Sequence, residues 1–345
     1  MKTAITELFG CTYPVLLSGM TGISTPDLVA AVNNSGGLGI LATADLTAGQ
    51  TREAIKKIRR LTDRPFGANV PLMIPGSAEK AKILIEEKVA VINYTLGSGE
   101  RLIDSVHQYG GLAVATVTTE THALSAQKYG ADALIVTGHE AAAHGGQVTS
   151  MVLVPSIVDA VKIPVIAAGG FADGRGLAAA LALGAEGVAM GTRFMNTVES
   201  PAHENMKQMS NQKTVYDTLY SDRIDGLPCR AINSTGARQL IDDRFYLFRA
   251  FSSSRQAAKA YGFPWIKALA GILFAGYRTS KQLARMSNAF QSIRIAIEDG
   301  EYEKGCFLMG QVTGLIHETP TVAQVMESVI QEALAVQKRM TEKLT

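Results

Sequence analysis

Two stretches of this sequence decide its fold: Pro164-Val-Ile-Ala-Ala-Gly-Gly-Phe-Ala-Asp-Gly-Arg-Gly176 and Gly187-Val-Ala-Met-Gly-Thr-Arg-Phe194. In each stretch a short apolar run is followed at once by glycine. Runs this short and apolar are typical of parallel strands that are buried on both faces. Glycine lets the chain turn tightly where such a strand ends. The two stretches therefore predict two neighbouring buried strands, each ending in a glycine turn.

The same alternation of apolar runs and helical patterns extends back to the amino terminus. The predicted strands are 15–17, 38–41, 66–70, 89–94, 112–117, 133–136, 165–168 and 187–190. Regular alternation predicts a closed barrel or a doubly wound parallel sheet. The eight β/α units that end by about residue 207 fit the (β/α)8 TIM barrel, which makes the two glycine-ended strands the seventh and eighth.

The chain is longer than one barrel requires. It has 345 residues, whereas a barrel of this type takes roughly 250. Residues 208–299 show helical patterns without clear strand alternation, so we predict a helical insertion that covers the barrel mouth. The barrel itself is then 1–207 and 300–345, and an amphipathic helix at 321–343 would close it. The insertion also offers a surface for a homodimer.

The composition excludes several other classes of protein. The net charge of +2 gives no electrostatic reason to bind nucleic acid or an anionic membrane surface. The three cysteines are far apart and form no C-x-x-C motif, so neither a disulfide framework nor a metal site is indicated. The amino terminus lacks the apolar run of a signal peptide, and no stretch of the second half approaches the roughly 20 apolar residues of a membrane span. These features predict a cytoplasmic enzyme or binding protein.

The glycine turns also predict a phosphate site. In β/α barrels the loops after strands seven and eight frequently bind phosphate, and here those loops contain Gly169, Gly170, Gly191 and Thr192. A helix beginning near 173–174 would add the positive end of its dipole. This arrangement predicts a phosphate group without saying which molecule carries it.

A histidine follows the sixth predicted strand. His144 lies in Gly138-His-Glu-Ala-Ala-Ala-His-Gly-Gly146, at the carboxyl end of that strand, where barrel active sites lie. A neutral imidazole accepts a proton near physiological pH, and a protonated one binds an oxyanion. We therefore expect His144 to be the catalytic residue. His139 is its rival in the same loop, and we interpret it as structural or solvent-facing.

With these motifs the sequence resembles the nitronate monooxygenase family, formerly called 2-nitropropane dioxygenases. The resemblance is carried by Gly-Gly-Phe-Ala-Asp-Gly-Arg-Gly at 169–176 and by Met-Gly-Thr-Arg-Phe-Met-Asn-Thr-Val-Glu-Ser at 190–200. Further matching segments are 14–20, 35–42, 64–70, 138–146 and 310–316. It implies a β/α barrel with a small helical domain and non-covalently bound FMN.

The resemblance also implies which residues hold the flavin. Those expected to bind the cofactor are Gly19, Met20, Asn69, Ala143, Gly169, Gly170, Gly191, Thr192, Gly310 and Gln311. Gly19 and Met20 would place backbone against the isoalloxazine ring, and Asn69 would hydrogen-bond it. Ala143 would lie beside the ring with His144. The reaction implied is the oxidation of an alkyl nitronate, or of a nitroalkane, by O2 to a carbonyl compound and nitrite.

Other branches of the superfamily stay open. The segment 144–154 and the segment 305–316 look like those of FMN-dependent NAD(P)H enoyl-ACP reductases. An NADH:quinone reductase branch carries a lysine near Thr116, which this chain lacks. A non-catalytic FMN-binding protein is an alternative of another class. Leu17-Ser18 and Ala141-Ala142 depart from the usual pairs at those positions, which leaves the shape of the substrate pocket undetermined.

Overall fold

The computed structural model is a closed barrel of eight parallel strands, each lying beside its neighbours in the sequence. The residues that it describes are 1–74, 76–142, 144–242, 246–260, 264–266 and 277–345. The barrel strands are β1 Val15–Leu17, β2 Leu38–Ala42, β3 Gly67–Pro71, β4 Val91–Thr95, β5 Leu112–Val117, β6 Ala133–Thr137, β7 Val165–Ala168 and β8 Gly187–Met190. Strand β8 pairs with β1 and closes the barrel. The predicted (β/α)8 fold is confirmed, and the two glycine-ended stretches are β7 and β8.

Helices alternate with these strands and form the outer layer. The seven helices between strands are α2 Pro26–Asn34, α3 Ala48–Leu61, α4 Ser77–Glu86, α5 Glu100–His107, α6 Glu120–Lys128, α7 Ser150–Ala160 and α8 Gly174–Ala182. Helix α1 Ala4–Phe9 precedes β1, and the short α9 Thr192–Met195 follows β8. Local sequence sets their starts: Thr47 accepts a hydrogen bond from the N–H of Gln50, whose side chain binds back to Thr47. This reciprocal capping box satisfies backbone donors at the first turn of α3.

The barrel interior is apolar at its amino end and polar at its carboxyl end. At the amino end one buried cluster contains Leu16, Ile40, Val91 and Val114, and side chains of α1 close the barrel beneath it. Near the carboxyl ends of β3, β4 and β6 the buried side chains are instead Asn69, Asn93 and Thr137. Since buried polar groups need partners, this layer is suited to lie beneath a polar ligand.

A long segment connects β8 to the last helix of the chain. Its described elements are α10 Glu204–Asn211, β9 Thr218–Ser221, β10 Cys229–Ile232, α11 Thr235–Asp242, α12 Tyr246–Ala260 and α13 Tyr277–Glu298. Strands β9 and β10 pair antiparallel and form a hairpin that the purely helical interpretation of this region missed. Each strand has four residues, which is too short to produce a visible alternation. The division into a barrel and an insertion at 208–299 remains a prediction.

The last helix, α14 Val322–Leu344, returns to the barrel. It packs against α8 and α2 and so takes the place of the eighth outer helix, as expected for 321–343. A Cβ atom at Gly174 would lie 2.3 Å from the backbone nitrogen of Ala333, so only glycine allows this close approach of α8 to α14. Within the described ranges, no helix combines the length and the apolar character that crossing a membrane requires.

Candidate active site

The turns that follow β7 and β8 form a cradle of backbone N–H groups. Gly169 and Gly170 have φ angles of +94° and +85°, a region that favours glycine. The N–H groups of Gly169, Gly170 and Gly191 donate to no acceptor in the described part of the chain. Unpaired N–H groups at adjacent strand ends form a concave anion site. We call these residues, with Thr192, the glycine cradle.

Helix α8 begins at Gly174, as the sequence predicted, whereas the contribution of its positive end to a phosphate site stays a prediction. The Asp173 carboxylate accepts from the N–H of Gly176 at 2.9 Å. The Glu332 carboxylate, from α14, accepts from the N–H of Gly174 at 2.7 Å. Arg175 forms ion pairs with both carboxylates. The first turn of α8 is therefore already occupied by acidic side chains.

A segment from the end of the chain is fastened to the cradle. The N–H of Gly310 donates to the Thr192 hydroxyl at 3.0 Å, and the N–H of Gln311 donates to the Glu140 carbonyl at 2.9 Å. A short 3-10 helix, Gln311–Leu315, follows. The structure thus brings Gly310 and Gln311 close to the cradle, although they are more than a hundred residues away from it in the chain; that they contact the flavin stays a prediction.

Glu140 is a residue of this site that the sequence analysis missed. Its carboxylate accepts from the backbone N–H of Ser150 at 3.0 Å, at the start of α7. The Ser150 hydroxyl lies 3.0 Å from that carboxylate and 2.7 Å from the Gly169 carbonyl. Glu140 therefore links the β6–α7 loop, the cradle and the segment at Gln311. An acidic residue close to a histidine is the only local signal that could have singled it out.

Removing the Thr192 hydroxyl should loosen this attachment. In Thr192→Val the buried N–H of Gly310 loses its acceptor, which costs about 1–3 kcal/mol of unfolding free energy. Thr192→Ser keeps the hydroxyl and should stay close to the wild type. Urea unfolding of the flavin-free proteins measures both values. Equal stabilities for the valine and serine variants would contradict this role of the hydroxyl.

The β1–α2 loop lies against both β3 and the cradle. A Cβ atom at Gly19 would lie 2.5 Å from the Cβ of Asn69, so glycine is required for this contact. A Cβ atom at Gly191 would lie 3.3 Å from the Met20 sulfur and 4.0 Å from the Ser18 Cβ. Gly19, Met20 and Asn69 therefore lie at the same end of the barrel as the cradle.

A chain of side-chain hydrogen bonds orients Asn69. Its Nδ2 donates to Oδ1 of Asn93 at 2.7 Å, and Nδ2 of Asn93 donates to the Thr116 hydroxyl at 3.0 Å. With Nδ2 engaged, Oδ1 of Asn69 is the atom that this side chain presents as an acceptor. Asn93 and Thr116 were not among the predicted site residues, because buried amides in a strand carry no distinctive local pattern.

His144 is paired with a carboxylate. Its Nε2 lies 2.8 Å from Oδ2 of Asp225, with 36% of the His144 side chain and 14% of the Asp225 side chain exposed. Asp225 lies in the connection between β9 and β10. Sequence reasoning missed this residue too, since it is 81 positions away from His144. Ala143, predicted to lie beside the flavin ring, is outside the described residues.

The β9–β10 hairpin also holds the backbone of the His144 loop. The Tyr220 hydroxyl donates to the Gly145 carbonyl at 2.7 Å. The N–H of Arg230 donates to the Ala142 carbonyl at 3.2 Å, and its guanidinium donates to the His139 carbonyl at 3.0 Å. The His139 ring lies 4.3 Å from the Tyr220 ring, which agrees with the structural interpretation of His139. A histidine–carboxylate pair that can take up or release a proton is thereby fixed at the barrel mouth.

The comparisons with known proteins agree with this architecture. The model of the nitronate monooxygenase family matches residues 2–332. The (3aS,4S,5R,7aS)-5-hydroxy-7a-methyl-1-oxo-octahydro-1H-indene-4-carboxyl-CoA dehydrogenase of Rhodococcus jostii is 36% identical over 340 residues, covering 97% of this chain and 96% of that protein. A probable nitronate monooxygenase of Staphylococcus saprophyticus is 32% identical over 281 residues, covering 68% of this chain and 79% of that protein. FabK of Thermotoga maritima has a TM-score of 0.84 and 34% identity, covering 99% of both chains.

Proposed function

Because the chain belongs to the nitronate monooxygenase family, whose members are flavoenzyme oxidoreductases, we propose that it is an FMN-dependent oxidoreductase. The observation that carries the proposal is the glycine cradle at the mouth of the barrel, which has the fixed His144–Asp225 pair at the same end. The cradle supplies the anion site that the phosphate of FMN requires, and the pair supplies a group that transfers protons.

The residues at the barrel mouth fit FMN. The N–H groups of Gly169, Gly170 and Gly191, which have no acceptor among the described residues, would bind the phosphate. Gly19 and Met20 would face the ring with backbone and Asn69 with its Oδ1 acceptor, while Gln311 would approach from the other side. When bound, the flavin supplies the transfer of electrons. The chain itself would bind and orient the reactants, and His144 would transfer the proton.

We propose an acyl thioester as the substrate, converted at the carbon–carbon bond next to the thioester carbonyl. Two of the proteins that match nearly the whole chain support this class: the Rhodococcus enzyme is named as a carboxyl-CoA dehydrogenase, and FabK is an enoyl-ACP reductase. The Staphylococcus relative matches only 68% of the chain. A thioester carbonyl makes the neighbouring C–H acidic, so an imidazole base such as His144 suits this chemistry.

Nitronate oxidation is the second candidate function. The family model and the Staphylococcus relative favour it, and so does the sequence Met20-Thr-Gly-Ile-Ser-Thr-Pro. Here His144 would hydrogen-bond the nitronate, or remove the α-proton of a neutral nitroalkane, and O2 would be the second substrate. An imidazole can remove the acidic proton of a thioester or a neutral nitroalkane, and it can hydrogen-bond a nitronate that is already an anion, so one site serves either proposal.

One experiment separates these candidates. The purified yellow protein is mixed without oxygen with propionate 3-nitronate, with NADH or with NADPH, and the flavin absorbance is followed. Bleaching by the nitronate, with O2 uptake in air, is the outcome expected for a nitronate monooxygenase. Bleaching by NAD(P)H that crotonyl-CoA reverses, or bleaching by a saturated acyl-CoA, is the outcome expected for thioester chemistry. A colourless protein that FMN does not reconstitute would contradict both.

A further inference from the structure

We infer that Asp225 is the positioning residue of His144, and that it leaves Nδ1 as the nitrogen that exchanges a proton with the substrate. This inference rests on the proposed function of His144. The local sequence around either residue does not indicate this contact, because His144 lies in the β6–α7 loop and Asp225 lies in the β9–β10 hairpin. The structure brings them to 2.8 Å.

The Asp225 carboxylate is held from more than one side. Its Oδ1 accepts from the N–H of Leu227 at 3.0 Å, while Oδ2 faces His144. Burial, with the charge of Asp225 as a second cause, raises the pKa of the Cys229 thiol, so no thiolate charge repels the carboxylate. With these partners, Asp225 has little freedom to turn away from the imidazole.

The His144 loop is held just as firmly. Tyr220 and Arg230 from the same hairpin bind the carbonyls of Ala142 and Gly145 on either side of the histidine. The hairpin therefore fixes both the carboxylate and the loop that it orients. A pair whose two members are anchored to one element keeps its geometry when other parts of the mouth move.

In this arrangement the two imidazole nitrogens have different roles: Nε2 faces Asp225, and Nδ1 exchanges the proton. A carboxylate next to Nε2 keeps the proton on that nitrogen and stabilises the imidazolium that forms when the other nitrogen is protonated. Within the described residues, Nδ1 of His144 has no hydrogen-bond partner. When Nδ1 removes a proton, the substrate C–H bond breaks and the N–H bond forms. The electron pair of the C–H bond stays on the substrate, delocalised into the thioester carbonyl or the nitro group.

Asp225→Asn tests the charge of this carboxylate while preserving its shape. We expect kcat to fall about 10- to 100-fold, the range found for the carboxylate partners of metal-ligating histidines, with KM changed by less than about twofold and the flavin content unchanged. The matched control is Asp222→Asn, which removes the same charge from the same connection. Asp222 is exposed and its carboxylate has no hydrogen bond to a described residue, so its variant should behave like the wild type.

A spectroscopic measurement keeps the test independent of turnover. Proton NMR of the holoenzyme should show a downfield imidazole N–H resonance that is absent in His144→Ala and in Asp225→Ala but present in Asp222→Asn. A resonance that survives in Asp225→Ala overturns the inference, and so does a kcat of Asp225→Asn that matches the control. If the enzyme converts neither a thioester nor a nitronate, the proposed function fails, whereas the resonance still decides whether the pair exists.

Discussion

Gly191→Val should give a folded protein that no longer retains flavin. Gly191 has a φ of −100°, so the position does not require the positive φ that favours glycine. Its Cβ would lie 3.3 Å from the sulfur of Met20, whose flexible side chain is able to shift. The two methyl groups would then fill the space between the β1–α2 loop and the glycine cradle. They would exclude the phosphate without disturbing the core.

The expected loss of affinity follows from the bonds that would be lost. Each hydrogen bond to a charged phosphate oxygen contributes about 1.5–3 kcal/mol, and about 1.4 kcal/mol is a tenfold change in affinity. Losing two such bonds weakens FMN binding by a factor of roughly a hundred or more. The variant should therefore be purified nearly colourless. Its circular dichroism should match that of flavin-free wild-type protein.

Gly49→Val is the matched control for this variant. It adds the same side chain at a position in α3 where a Cβ atom meets no neighbour within 4 Å. The control should keep its yellow colour and the wild-type ratio of flavin to protein. A Gly191→Val protein that keeps the same ratio would show that the phosphate binds elsewhere.

The barrel and the cradle were predictable because their signals are local. Each strand is a short buried run, and β7 and β8 end in glycines whose spacing is visible in the sequence. Parallel strands that are adjacent in the sequence are also adjacent in the barrel. The ends of β7 and β8 therefore had to meet once the fold was known, and Gly169 and Gly191 follow those ends.

The remaining features depend on contacts between distant segments, which no local pattern encodes. The Glu332 carboxylate from the last helix reaches the first turn of α8, a contact that the sequence around 173–176 does not indicate. Asp225 is one acidic residue among 31 Asp and Glu residues in the sequence, and only the hairpin's path shows that it meets His144. The hairpin itself was overlooked because four-residue strands carry almost no periodicity.

The pairing with Asp225 fixes the orientation of the His144 imidazole, which the sequence alone did not indicate. The position of the histidine after β6 indicated a catalytic role, yet a loop histidine alone is free to take several orientations. In the structure, Asp225 and the hairpin reduce that freedom, so the imidazole is already oriented in the protein without substrate. Preorganisation of this kind lowers the cost of reaching the reactive geometry.

His144→Ala should therefore keep its flavin and lose most of its turnover. A positioned acid or base typically contributes a factor of about 10²–10⁴ to the rate, and kcat should fall by that factor on whichever substrate the wild type converts. None of the bonds that attach the cradle to Gly310 and Gln311 involves the imidazole, so the flavin content should not change. Steady-state kinetics together with flavin absorbance measures both properties.

The control for this variant is another histidine–carboxylate pair of nearly the same geometry. His107 lies 2.9 Å from Asp132, but His107 ends α5 and Asp132 precedes β6, so this pair lies at the amino end of the barrel. His107→Ala removes an equivalent bond from the face opposite the cradle and should leave kcat unchanged. If His144→Ala retained full activity, or if both variants lost activity equally, His144 would have no place in the proton transfer. A loss confined to His144→Ala places the chemistry at the carboxyl ends of the strands.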